Sequence, residues 1–222
     1  MRTDPVWDGI TRAENPNNYG MQIRQQLADC TKTYNWPRAL AILSEHPQLV
    51  NATRPGGRSL YAPLHQAAHG GAPVKVIDEM LKIGAWRTLQ NARGERPVDI
   101  ARKRAHHHLI PILEPQLKQD VPLGILLKLQ SHFHRVIRGR ADHLVDERTL
   151  RLPELEPLLE MEKGTVVWFA IPGMYGGFAY RLERAGVDPL LVAESWCRVV
   201  DGSGQRHEVT PAGSRLVEEG FV

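Results

Sequence analysis

The sequence predicts a stack of helical repeats in the N-terminal half and an α+β domain on a small antiparallel sheet in the C-terminal half. Three observations lead there. Two segments that each open a helix with proline, at Pro63 and Pro97, stand 34 positions apart. Glu114-Pro115 and Val121-Pro122 mark a break beyond which that period disappears. After residue 165 the apolar pattern changes from helical spacing to continuous or alternating runs, as strands require. The expected organisation is a polar arm over 1–19, repeats over 20–118 and the α+β domain over 119–222.

Ile23, Leu27, Cys30 and Tyr34 recur at helical spacing, and Ala39, Ile42 and Leu43 do so after Asn35-Trp36-Pro37. Pro37 suits a first helical turn, where its missing N–H has no partner to lose. His46-Pro47 stops that helix, and Leu49 to Ala52 is expected as an extended exit. Pro63 to His69 predicts a short helix ended by Gly70-Gly71, because glycine tolerates the left-handed conformation. Val74, Ile77, Met80 and Leu81 give a second helix, which Gly84 ends. Pro97 to Ala101 repeats the Pro63 to Ala67 pattern, and Leu109, Ile112 and Leu113 supply its second helix.

Ala62-Pro63-Leu64-His65-Gln66-Ala67-Ala68, followed by Gly70-Gly71, resembles the first helix of an ankyrin repeat. The exits ending in Asn51-Ala52 and Asn91-Ala92 echo one another. The resemblance covers roughly residues 20–115, or about three repeats, and the middle one carries it. It implies a stack that binds another protein through Tyr61, His69, Trp86 and Arg93, with Tyr61 and Trp86 foremost as aromatics. Departures from the family pattern are clear. Ala62 and Arg96 stand where a capping threonine is usual, a loss of about 1 kcal/mol each. Asp99 replaces the family histidine found at His65, and residues 53–61 lengthen one connection.

In the second half, Leu126, Leu129, Phe133 and Ile137 form a helical stripe, with Gly139 expected as its C-cap. Pro153 to Glu162 is expected to be helical. Thr165–Ala170, the Phe178-Tyr180-Leu182 segment, Leu190–Val200 and Gln205–Val209 predict strands. Asp201-Gly202-Ser203-Gly204 is expected as a hairpin turn. Thr210 and Pro211 resemble the N-cap and N1 residues of a closing helix that docks Leu216 and Val217.

Composition narrows the chemistry. A net charge of +3 builds no strong nucleic-acid field into the whole chain. Lys128, His132, Arg135 and Arg138 share a helix face near Arg140, but no aromatics interleave with them, which argues against nucleic acid. Cys30 and Cys197 form neither a disulfide framework nor a metal motif. The polar N-terminal segment lacks a signal-peptide core, and no apolar run reaches about 18 residues, so a cytoplasmic protein is expected. His106-His107-His108 would fan apart on a helix, so no metal is expected, and no cofactor is implied.

The Pro172 to Gly177 loop carries Tyr175 between two strands, without the lysine of a nucleotide-binding loop. Glu194, Trp196 and Arg198 share a strand face, Glu208 stands on the next strand, and His207 points the other way. These six residues are the candidate C-terminal patch. The expected function is non-enzymatic protein–protein interaction. Two alternatives stand beside it: a toxin-neutralising immunity or inhibitor protein, and an enzyme centred on the sheet that uses Tyr175, Glu194, His207 or Glu208.

Overall fold

The computed structural model describes residues 5–13, 18–186, 188–198 and 203–220. It divides into two compact units. Unit 1 covers Ile10–Gln116, and unit 2 joins Arg2–Gly9 to Leu117–Val222.

Unit 1 is helical. Its elements are α1 (Tyr19–Lys32), α2 (Trp36–Glu45), α3 (Pro63–Gly70), α4 (Val74–Ile83), α5 (Pro97–Lys103) and α6 (Ile110–Leu113), with 3₁₀ turns at Pro47–Leu49 and His107–Leu109. Consecutive helices pair as α1 with α2, α3 with α4 and α5 with α6. The pairs stack in register, so α1, α3 and α5 form one row and α2, α4 and α6 another. Small residues on α3, Ala67 and Ala68, let the rows approach around Leu43, Leu64, Ile77, Met80 and Leu109.

Asn18 and Asn35 cap the first two helices by accepting from Met21 N and Arg38 N, each at 3.3 Å. The starts of α3 and α5 solve the same problem differently. Ala62 and Arg96 offer no side-chain cap, yet their backbones match closely, with φ/ψ of −82/168° and −82/163°. In each case the third helical residue reaches back. Ala62 N donates to His65 Nδ1 at 3.2 Å, and Arg96 N donates to Asp99 Oδ2 at 3.0 Å. Histidine and aspartate therefore satisfy the same backbone group, half of a capping box.

The Gly70-Gly71 pair does more than end α3. A Cβ on Gly70 would stand 2.5 Å from the Tyr34 ring, and one on Gly71 2.7 Å from the His106 ring. One ring comes from the preceding helix pair and one from the following pair. Gly71 also has a φ of 61°, which accounts for the expected stop. The exit over 49–52 differs from the expected extended segment: Pro47–Leu49 tightens into a 3₁₀ turn. Asn51 then bridges to the next pair, donating to Gly84 O and accepting from Trp86 N, both at 3.0 Å.

Unit 2 holds α7 (Leu123–Glu147) and a five-stranded antiparallel sheet. The strands run in chain order: β1 (Val167–Ile171), β2 (Gly176–Ala185), β3 (Asp188–Cys197), β4 (Ser203–Thr210) and β5 (Gly213–Gly220). Helix α7 packs on the face bearing Phe178 and Tyr180, with the Phe133 ring 6.0 Å from Phe178 and 5.0 Å from Tyr180.

Four expectations change here. Gly139 is not the last residue of α7, but the helix kinks two residues later at the non-helical Ala141, φ −150°, before helical structure resumes to Glu147. One interior glycine costs a helix only about 1 kcal/mol. Buried Ala141 and Val145, with Arg138 ion-paired to Asp142 and Asp146, carry the helix past it. Pro153 to Glu162 forms only a 3₁₀ segment, Glu156–Glu160. Residues 210–220 form a hairpin and strand instead of a helix. Thr210 Oγ1 accepts from Ala212 N two residues on, which closes a turn rather than opening a helix. The expected 201–204 turn falls partly outside the described residues, and Gly204 lies opposite Trp196.

Nor is the N-terminal segment a free polar arm. Val6 bridges Trp168 in parallel, Trp7 N donates to Trp168 O at 2.8 Å, and Trp168 N donates to Pro5 O at 3.0 Å. The Trp7 ring is 2% exposed and its indole N–H donates to Arg151 O at 2.8 Å.

Trp7→Ala is expected to destabilise unit 2 by about 3–5 kcal/mol in urea unfolding. Gly70→Ala should cost about 1–3 kcal/mol through overpacking. Adding Tyr34→Ala to it should recover part of that loss, because the two sites touch. Strictly additive losses in that cycle would remove the proposed ring-on-glycine contact.

Candidate functional site

The four interface residues implied by the resemblance do not share one environment. Trp86 is 6% exposed, so its ring is not available to a partner. Its backbone N–H is bound by Asn51, which ties the residue to the loop connection. Arg93 is exposed on a tight loop, where its N–H donates to Asn91 Oδ1 at 2.8 Å. Tyr61 and His69 do come together, with ring centroids 6.2 Å apart.

They belong to a larger aromatic strip. Trp36 stacks on Tyr34 at 5.6 Å, and the Tyr34 hydroxyl lies 2.8 Å from His69 Nδ1. Tyr61 stacks on the buried His65 at 5.6 Å. His106 Nε2 reaches His69 O at 3.2 Å, and His108 Nε2 lies 3.4 Å from Ala72 O. Two members of the histidine run therefore tie α5 and its following turn to the α3–α4 turn. Burial lowers the His69 pKa from its ordinary value, and the positive charges of Arg104 and His106 lower it further.

Beside the strip lies a groove of about 120 Å³ between α1, α3 and the 52–61 connection. Tyr61, Thr31, Thr53 and Gln66 line it, and Arg24, Lys32 and Arg54 give it positive charge. Arg54 is ion-paired with Asp29. Burial brings the Arg24 guanidinium down to about 10. The Thr53 hydroxyl is buried there without a hydrogen-bond partner. Small-molecule sites usually measure about 300–1,000 Å³, so the groove suits one or two inserted side chains better than a ligand.

The six candidates in unit 2 separate. Tyr175 is 76% exposed at a hairpin tip. Glu194 accepts from Arg181 Nη1 at 3.4 Å and lies 3.8 Å from Arg206 Nε, an ion-pair lattice across three strands. Trp196 packs against Trp168, with centroids 5.9 Å apart. Arg198 is exposed just beyond β3, and Glu208 pairs with Arg215 at 2.7 Å. His207 opposes Ala193 and Leu216 on the other face, beside Arg140 of α7. No cleft collects these groups around one reacting centre.

The basic face expected on α7 is also divided. Arg138 is neutralised by Asp142 and Asp146, while Arg140 turns to the sheet and donates to Ser203. Sequence reasoning left Tyr34 and His106 out of the candidate set. Their visible signal was position: each occupies the turn after the first helix of a pair, 35 and 37 places from His69.

No protein-family model matches the chain. Among the described residues, no helix is long and apolar enough to cross a membrane, and no three His, Cys, Asp or Glu side chains are placed to hold a metal ion.

His69 should titrate below 6.5 in an NMR pH series, and Arg104→Gln should move it upward without restoring the ordinary value, because burial is the larger cause. The same shift makes stability pH-dependent. A neutral, partly buried imidazole favours the fold above its unfolded value near 6.5. That contribution is lost as the pH falls from there through the folded pKa. His134, lowered by burial and bonded to Pro153 O at 2.7 Å, acts in the same direction. Unfolding midpoints that stay level as the pH falls through that window would contradict both.

Proposed function

We propose that this protein is a non-enzymatic binding protein whose helical half is an ankyrin-like stack of three pairs. Its contact face is the groove of α1, α3 and the 52–61 connection together with the aromatic strip beside it. The observation that carries this reading is the double row of helices, one of α1, α3 and α5 and the other of α2, α4 and α6. The matched starts of α3 and α5 support it: both open with proline and both have a third residue reaching back to the same backbone N–H. Stacked pairs of this kind leave a surface built from first helices and connections, the part that varies without disturbing the core.

The partner is another protein, and the groove favours one that offers an acidic or aromatic side chain. Tyr61 supplies a large, rigid surface at low entropic cost. Lys32 and Arg24 supply charge at the rim and floor. Arg93 remains a contact candidate, and Trp86 acts through the shape of the loop connection it supports. Ion-paired, dispersed carboxylates in unit 2 favour binding over catalysis on its sheet.

The test compares affinity capture from the native organism with the wild type, Tyr61→Ala and Lys32→Glu. Each variant should keep its unfolding midpoint and lose about tenfold or more in affinity for the captured partner. Recovery of the same partner with unchanged affinity by both variants would place the contact elsewhere.

A further inference from the structure

Unit 2 contains a second concavity that the binding reading does not use. It lies between α7 and the last hairpin, has a volume of about 390 Å³, and is lined by Arg135, Val136, Gly139, Arg140, Gln205, His207 and Ser214. That size falls within the range of small-ligand sites, about 300–1,000 Å³. Gly139 borders it, and a Cβ built there would meet no atom within 4 Å, so a larger side chain has open space to enter.

Two guanidiniums and an imidazole line this cleft, and none of its lining residues is a carboxylate. Arg140 is held rigidly. Its Nη2 donates to Ser203 O at 3.0 Å and to Ser203 Oγ at 2.9 Å. Its Nε is buried without an acceptor, and the Nδ1 of His207 is likewise buried without a partner. Buried polar groups in folded proteins are almost always hydrogen-bonded, so these two nitrogens leave bonding capacity in the residues that wall the cleft. Arg135 approaches from the exposed side, with Nη1 3.4 Å from His132 Nδ1. Glu219 on β5 accepts from Gln205 Nε2 at 2.6 Å, and its charge acts on His207.

The geometry points to a binding site for a small phosphate monoester in this cleft, its phosphate held by Arg140, Arg135 and His207 and its ester group lying over Gly139. A planar guanidinium with a free N–H edge matches phosphate oxygens, and charge-assisted bonds of this kind are the strong ones. Ser214 and Gln205 supply neutral polar groups at the mouth. The volume exceeds what a bare oxyanion fills, which favours the ester over inorganic phosphate.

Proton coupling follows from the same contacts. Burial lowers the His207 pKa and the Arg140 charge lowers it further, while Glu219 opposes them. A phosphate dianion beside the ring reverses the balance and favours the imidazolium, so binding is coupled to protonation of His207.

The experiment is an NMR titration of the His207 ring in the full chain. It uses glycerol phosphate, inorganic phosphate and, as a charge control, sulfate. Glycerol phosphate should move the ring signals saturably and raise the His207 pKa, with inorganic phosphate weaker. Arg140→Gln and Arg135→Gln should each weaken binding about tenfold. Gly139→Leu, at an open helical position, should block the cleft while leaving the fold intact and so keeps the test decisive if Arg140→Gln unfolds. Inorganic phosphate binding as well as the ester would overturn the assignment to an ester. An unmoved His207 ring, or equal binding by Arg135→Gln and Gly139→Leu, would overturn the site.

Discussion

Helices α2 to α6 run from four to ten residues, and in water helices shorter than about 12–15 residues are marginal by themselves. Each therefore exists only because its neighbours bury its apolar face. That constraint explains where the sequence is most demanding. Ala67 and Ala68 hold the helix rows close, and Gly70 and Gly71 admit a ring from the pair before and the pair after. Among the described residues, the middle pair has a helix pair on each side. It is also the pair whose letters are most regular, because it must satisfy two interfaces at once.

The same economy shapes what the stack offers outward. Rings that lock adjacent pairs together, Tyr34 and His106, converge on His69 and leave Tyr61 and the groove beside them as accessible surface. The proposed contact face and the cohesion of the stack thus share one strip of side chains. In unit 2 the division is sharper. The face of the sheet away from α7 is knitted by Arg181, Glu194 and Arg206, whereas the α7 side carries the aromatic core at one end and a charged cleft at the other.

Much of the fold was legible because it rests on local chemistry. Proline at a first turn, left-handed glycines at Gly71 and Gly84, and alternating apolar residues in β2 each act within a few positions. The misjudged places are those where tertiary contacts outweigh local signals. Thr210-Pro211 carries good helix-start residues, but pairing with β4 makes the following segment a strand. Gly139 resembles a stop, yet buried Ala141 and Val145 draw α7 onward. Trp86 looked like an interface anchor because aromatics favour both interfaces and cores, and only packing decides between them. Arg140 and His207, 67 positions apart, meet where α7 packs against β4, which no local pattern encodes.

The Trp7 anchor has a consequence for how the chain is made. Trp7 binds Arg151, which lies 144 positions further along. At ribosomal rates of about 5–20 residues per second, roughly 7–30 s separate the two segments during synthesis. The whole helical unit emerges in that interval and can form first, while the tryptophan waits unburied for its strand. The helical unit is in effect an insertion within a discontinuous domain. A nascent chain of this order has reason to engage a holding chaperone around Trp7, well before the sheet exists to shelter it.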